Sequence, residues 1–231
     1  LMTYIMNNYL TGNMKSVCSK FRHSAKFIAA LILLACFAMK SNAQIPITYY
    51  DFESNAARST TQEYTPELSV NSAGTFTQVG GTTLTSLNGA GANLYGGNSG
   101  TSIGFSNSQN VTADPTTAAT TYFTTTINTS NFSGITISYD YRISATGPGN
   151  TGIIVTDGTN TVTGTFIDTA GNSTFHSLTW NLSANTFVNN KASLTVKVYF
   201  YKGVNAGFTS SGTARIDNFT VRDRKSTRLN S

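Results

Sequence analysis

Ile135-Thr136-Ile137-Ser138-Tyr139-Asp140-Tyr141-Arg142-Ile143 alternates apolar and polar residues without a break. A period of two puts Ile135, Ile137, Tyr139, Tyr141 and Ile143 on one face of an extended strand. Thr136, Ser138, Asp140 and Arg142 fall on the other, so the strand has one buried and one wet face. Leu194, Val196, Val198 and Phe200 alternate in the same way with Thr195, Lys197, Tyr199 and Tyr201. Gly152 to Thr156, a turn at Asp157-Gly158, then Thr161 to Ile167 reads as a hairpin, because Asp-Gly tolerates the positive φ that tight turns need. Leu178, Trp180 and Leu182 mark a further strand with the chain's single Trp on its core side. Shorter apolar pairs (Phe76 and Val79, Leu94 and Tyr95, Ile103 and Phe105, Tyr122 and Phe123) predict short strands joined by long loops such as Asn88 to Gly100. No stretch after residue 44 carries a helical period. The expectation is an all-β chain folded as a two-sheet sandwich.

Composition agrees with this. Charged residues make up 11% of the chain and Tyr plus Phe number 25, and β-branched and aromatic side chains suit a pleated, half-buried surface. Upstream of the strands, Lys15, Lys20, Arg22 and Lys26 precede twelve apolar residues, Phe27 to Ala38, and Ser41-Asn42-Ala43 precedes Gln44. A basic segment, a short apolar run and a small-x-small site are the parts of a secretory signal peptide. Twelve residues rise only about 18 Å as a helix, short of the roughly 30 Å hydrocarbon core, so no stable transmembrane span is expected. The expected organisation is upstream read-through over 1–13, a cleavable signal helix over 14–43, one β-sandwich domain over 44–223 and a non-native tail over 224–231. On that reading the natural protein is secreted or at the cell surface and continues into missing C-terminal domains. Leu33-Leu34-Ala35-Cys36 resembles a bacterial lipobox and supplies the alternative of a lipoprotein anchored through Cys36.

The net charge of +5 is concentrated at the two ends. Between Gln44 and Arg222 stand seven Lys/Arg against nine Asp/Glu, which excludes the basic patch that nucleic-acid binding requires. Cys18 and Cys36 both precede residue 44, so the domain has no thiol or disulfide chemistry. His176 is its only histidine, beside a strand and without the partners that a nucleophilic triad or a zinc site needs. Scattered carboxylates do not form the placed pair of a glycosidase, so no catalytic residues are assigned. Tyr199 and Tyr201, on the wet face of their strand, are the candidate ligand platform, with Asp140, Arg142 and Lys197 as polar partners. The competing reading is that outward Tyr and Thr simply stabilise cross-strand pairs.

The two ends of the domain are Ile47-Thr48-Tyr49-Tyr50-Asp51-Phe52-Glu53 and Ala214-Arg215-Ile216-Asp217-Asn218-Phe219-Thr220-Val221. Together they resemble the jelly-roll β-sandwich modules of secreted bacterial proteins related to carbohydrate-binding modules. There, a first strand ending in Phe-Glu lies near a last strand of the form Ile-Asp-Asn-aromatic-x-Val. The resemblance spans residues 45 to 222 and implies a jelly-roll-type antiparallel sandwich. It also implies one structural Ca²⁺ held by Glu53, Asp51 and Asp217. Paired terminal strands supply a reason of their own, because carboxylates about 4 Å apart repel by roughly 4 kcal/mol at an effective dielectric of 20, and calcium prefers such oxygen clusters. In the other reading Asp51 and Glu53 face solvent, Asp217 binds backbone amides, and Asn218 caps a bulge rather than lending a carbonyl to the ion. The implied function is a non-catalytic module that binds polysaccharide or cell-surface glycan, or an accessory part of a larger extracellular protein. The alternatives are a structural or adhesive surface protein without a small ligand and an accessory domain of a missing nuclease or hydrolase.

Overall fold

A computed structural model describes residues 44–52, 63–83, 102–106, 119–167, 174–209 and 212–223, all within one compact unit, Ala43–Ser231. The strands in chain order are β1 (Ile45–Tyr50), β2 (Glu63–Tyr64), β3 (Leu68–Ser69), β4 (Phe76–Val79), β5 (Thr82–Thr83), β6 (Ile103–Ser106) and β7 (Tyr122–Ile127). The longer ones follow: β8 (Ile135–Ile143), β9 (Asn150–Thr156), β10 (Thr161–Ile167), β11 (Phe175–Asn181), β12 (Leu194–Tyr201) and β13 (Ala214–Asp223). The one helical element among the described residues is a 3-10 turn, Thr186–Val188. None of the described helices is long and apolar enough to cross a membrane. Leu94-Tyr95, the loop Asn88–Gly100 and the segments 1–43 and 224–231 lie outside the described residues.

Two antiparallel sheets result. One runs β11-β8-β13-β1-β3, with β6 and β5 continuing from β13, and the other runs β10-β9-β12-β7-β4-β2. From β7 onward the chain crosses between sheets at most connections, the winding of a jelly roll. As expected, the terminal strands pair: β1 lies antiparallel to β13, with Tyr50 opposite Phe219 and Ile45 opposite Asp223. β13 is the spine of its sheet, with β8 along one side and β6 then β1 along the other. The Asp-Gly hairpin also forms, its four-residue loop closed by the Asp157 carboxylate, which accepts the N–H groups of Thr159 and Asn160 and pairs with Lys191. Those amides and the ammonium hold Asp157 well below the usual carboxylate range.

Alternation becomes packing as expected. Ile135, Ile137, Tyr139, Tyr141 and Ile143 meet Leu194, Val196, Val198 and Phe200 in one core between the sheets. Aromatic rings bridge the layers: Phe76 lies 4.9 Å from Phe219 and 5.3 Å from Tyr50, and Tyr141 lies 6.4 Å from Phe200. Buried tyrosine hydroxyls find partners across the gap, Tyr139 with Thr151 and Tyr50 with Thr125, each at 2.8 Å. Burial pushes the Tyr50 phenol up to about 12. Trp180 packs half-buried against this core, its ring over Gly164, where any Cβ would collide with it.

Candidate functional site

The site grows from a one-residue irregularity in β13. Asp217 pairs with Asp140 and Thr220 with Ser138, so Asn218 and Phe219 together oppose the single residue Tyr139. At this bulge Asn218 takes φ +49, a left-handed conformation that Asn tolerates better than most side chains. The bulge sends Phe219 into the core and leaves Asn218 on the outer face. There its side-chain carbonyl accepts the Tyr49 hydroxyl at 2.8 Å, and its amide donates to Asp140 Oδ2 at 2.7 Å. Asp140 Oδ1 accepts Ser177 Oγ at 2.5 Å. Four adjacent strands, β1, β13, β8 and β11, thus contribute one residue each to a continuous hydrogen-bonded chain, Tyr49–Asn218–Asp140–Ser177.

This chain floors an open cleft of about 260 Å³ whose other polar walls include Gln44, Thr136, Thr220 and Arg222. Both acceptor oxygens of Asp140 are already oriented by donors, which fixes the carboxylate in the cleft. At the far end Arg222 sits opposite Thr136 across the β13–β8 ladder. The Arg222 Nε and the Thr136 hydroxyl are both buried without a hydrogen-bond partner. Along the same face in the other direction, Arg142 pairs with Arg215, and burial, then the neighbouring Arg142 charge, lowers the Arg215 pKa.

Two parts of the expected ligand site are corrected by the structure. Tyr199 and Tyr201 do point away from the main core, but their exposures are 0% and 4%, so the rings are not on a wet face. They form a second apolar cluster with Ile154, packed by Ala119 and Tyr122. Tyr199 lies flat across Gly152, where an added Cβ would stand 2.3 Å from its ring. The second correction is that the five residues do not form one site. Tyr199, Tyr201 and Lys197 belong to β12, whereas Asp140 and Arg142 belong to β8 in the opposite sheet. Lys197 sits over the Tyr122 ring, 4.7 Å from its centroid. Of the five, only Asp140 lines the cleft.

The expected calcium set is divided too. Glu53 lies outside the described residues. Asp51 lies beside Glu67, whose carboxylate accepts the Asp51 backbone N–H at 2.8 Å. Desolvation and the adjoining Asp51 carboxyl push Glu67 up to about 7, although the residue as a whole stays exposed. Asp217 is buried opposite Asp140, and its Oδ1 accepts the Asn218 N–H at 2.8 Å, the backbone-amide alternative weighed above. No three His, Cys, Asp or Glu among the described residues converge on one point. His176 packs against the Tyr141 ring, 5.8 Å away, and its Nε2 lies 3.2 Å from the Thr174 hydroxyl.

Sequence reasoning missed Tyr49, Ser177, Thr136 and Arg222. Thr136 and Ser177 stand on strands whose alternation was legible, so their face could be read but not their neighbours across strands, whereas Tyr49 and Arg222 lie on the terminal strands, for which no alternation was read. Asn218 was singled out as a bulge residue or a calcium ligand, and the bulge is what forms.

No family model matches the chain and no curated protein is similar to it. Among solved structures, it is similar to the xylan-binding module CBM15, at 14% identity over 67% of this chain and 92% of that one, with a TM-score of 0.39. It is also similar to a family 11 carbohydrate-binding module from Clostridium thermocellum, solved with a mixed-linked tetrasaccharide: 13% identity, 77% and 96% coverage, TM-score 0.37. A third likeness is to the K3 adhesin domain of Lys-gingipain from Porphyromonas gingivalis, at 12% identity, 55% and 75% coverage and a TM-score of 0.32.

Proposed function

We propose that this protein is a secreted, non-catalytic glycan-binding module that takes saccharide in the cleft on the β11-β8-β13-β1 face. The observation that carries the reading is the chain Tyr49–Asn218–Asp140–Ser177, in which the buried Tyr49 anchors an amide, a fixed carboxylate and the exposed Ser177 hydroxyl along one open groove. Sugars offer many hydroxyls, each both donor and acceptor. A carboxylate held by two donors keeps lone pairs for such hydroxyls without reordering when they arrive. Among the described residues that line it, the cleft has one carboxylate, that of Asp140, and neither His nor Cys, a composition that suits binding better than hydrolysis. Its volume is at the low end for ligand clefts, and its openness to solvent suits a chain that passes through or ends in it.

Affinity electrophoresis through gels containing individual soluble polysaccharides, followed by calorimetry on whichever retards the protein, tests the proposal. Retardation that is lost in Asp140→Ala and kept in Lys202→Gln is the expected result. Retardation unchanged in Asp140→Ala would move the site elsewhere. Mobility unaffected by every polysaccharide would favour the structural or adhesive alternative. A structural Ca²⁺ tying β1 to β13 is a further proposal, supported by the pairing of those strands and by the crowding of Asp51 against Glu67.

A further inference from the structure

The geometry points to an anion subsite at the Arg222–Thr136 end of the cleft, made for the negatively charged substituent of an acidic sugar, a uronate carboxylate or a sulfate ester; this rests on the glycan-binding reading above. Three observations converge. The Arg222 Nε is buried with no partner, and so is the Thr136 hydroxyl, and an orphaned buried donor costs stability unless something accepts from it. The two residues are direct partners in the β13–β8 ladder, so their side chains rise side by side from one face into one cleft. Both orphaned atoms are sealed from solvent as they stand, so binding requires the Arg222 side chain to turn toward the cleft it lines, where its Nε–H and adjacent Nη–H would donate to two oxygens of an oxyanion. The Thr136 hydroxyl would donate to one of them.

Charge placement supports the same end. The domain as a whole carries more acid than base, yet all three arginines among the described residues, Arg142, Arg215 and Arg222, lie on the β8–β13 part of this sheet. None of the three forms an ion pair among the described residues. Asp140 and Asp217 stand between the Arg142–Arg215 pair and Arg222 along the ladder, and Arg222 is the arginine that lines the cleft. A sugar lying along the groove would set hydroxyls against Asp140 and its acidic group against Arg222. A neutral sugar would satisfy the first contact and leave the second unmade.

The test is calorimetric titration of the full chain with polygalacturonate, with the same polymer after reduction of its carboxyl groups, and with a sulfated galactan. Expected are binding of at least one acidic polymer about tenfold or more tighter than of the carboxyl-reduced one, and weakening of that preference with added salt. Arg222→Gln should erase the preference while Lys202→Gln, an exposed charge elsewhere, retains it. The two acidic polymers distinguish carboxylate from sulfate. Thr136→Val should raise Tm, because an orphaned hydroxyl is replaced by an isosteric methyl, and yet weaken acidic-glycan binding severalfold. A residue with a purely structural role would move both readouts in the same direction. Equal affinity for the acidic and reduced polymers, or a preference that survives a folded Arg222→Gln, overturns the subsite and leaves the glycan reading intact. Failure to bind any polysaccharide, neutral ones included, overturns both.

Discussion

The outer faces of the two sheets differ more than their sequences do. On β8 the outward residues Thr136, Ser138 and Asp140 line an open polar cleft, with Arg142 further along the same face. On β12 the equivalent positions Thr195, Lys197, Tyr199 and Tyr201 read just as plainly as a wet face, yet both tyrosines are buried in a second apolar cluster. Alternation reports which residues share a face. It does not report whether that face is then covered. The cleft face is kept open by polar side chains that bond to one another across four strands, whereas Gly152 lets the Tyr199 ring lie down on the opposite face.

Truncating each face should separate these roles. Tyr199→Ala should cost about 3–5 kcal/mol in denaturant unfolding, as for other buried aromatics, because the second cluster collapses poorly around the hole. Asp140→Ala, on a partly exposed carboxylate, should cost only about 1 kcal/mol and abolish glycan retention. If the two variants were equally destabilised, the distinction between a packed face and a binding face would fail.

The second prediction concerns the paired terminal strands. If calcium binds only the native chain, a hundredfold excess over Kd adds about 2.7 kcal/mol, so Tm should rise by roughly 5–10 °C over its value in EDTA. Loss of that rise in Asp217→Ala would place the ion at the β1–β13 end of the sheet. Scans that coincide with and without calcium would remove the metal from this fold.

Bulge variants probe how the cleft face is built. Asn218→Ala should destabilise by about 1–3 kcal/mol, combining a left-handed φ without a suitable side chain and two lost hydrogen bonds. Asn218→Gly should recover about 1 kcal/mol of this by relieving the backbone alone, and should still lose glycan binding. Retention of binding in Asn218→Gly would show that Asp140 does not depend on the bulge for its orientation.

The smallest effect is expected at the exposed rim, where Glu67 sits against Asp51. Its carboxyl titrates near 7 when folded, above the ordinary 4.5, so the folded state holds that proton more tightly. The resulting stabilisation is fully present below pH 4.5 and is lost as pH rises through about 7. Glu67→Gln should therefore have a higher Tm than the parent at pH 8 and nearly the same Tm at pH 4. A difference independent of pH would mean that folding does not raise the Glu67 carboxyl above its ordinary value.

Much of the fold was legible because strand periodicity is a local property. The faces of β8 and β12, the Asp-Gly hairpin and the core side of Trp180 follow from side chains alternating along an extended chain, whatever the rest of the molecule does. The resemblance of the two ends also led to the pairing of β1 with β13, and that pairing forms. The cleft was only partly legible. Asp140 was named as a polar partner of the tyrosines, but its actual partners Ser177 and Asn218 lie 37 and 78 residues further along the chain, and Tyr49, which bonds Asn218, precedes Asp140 by 91.

What this sequence determined by itself is an all-β chain, two-faced strands, a domain with more acid than base, and no thiol chemistry after residue 44. Those conclusions need nothing beyond composition and period. Tertiary structure alone decided which wet-looking face is buried, that Asp140 and Lys197 stand on opposite sheets, and that a bulge turns Asn218 toward Asp140. It also decided that Arg222 and Thr136 share a cleft with donors unmet. The physical reason is that register between strands is set by long-range pairing and core packing. Contacts that cross from strand to strand are therefore absent from any local pattern.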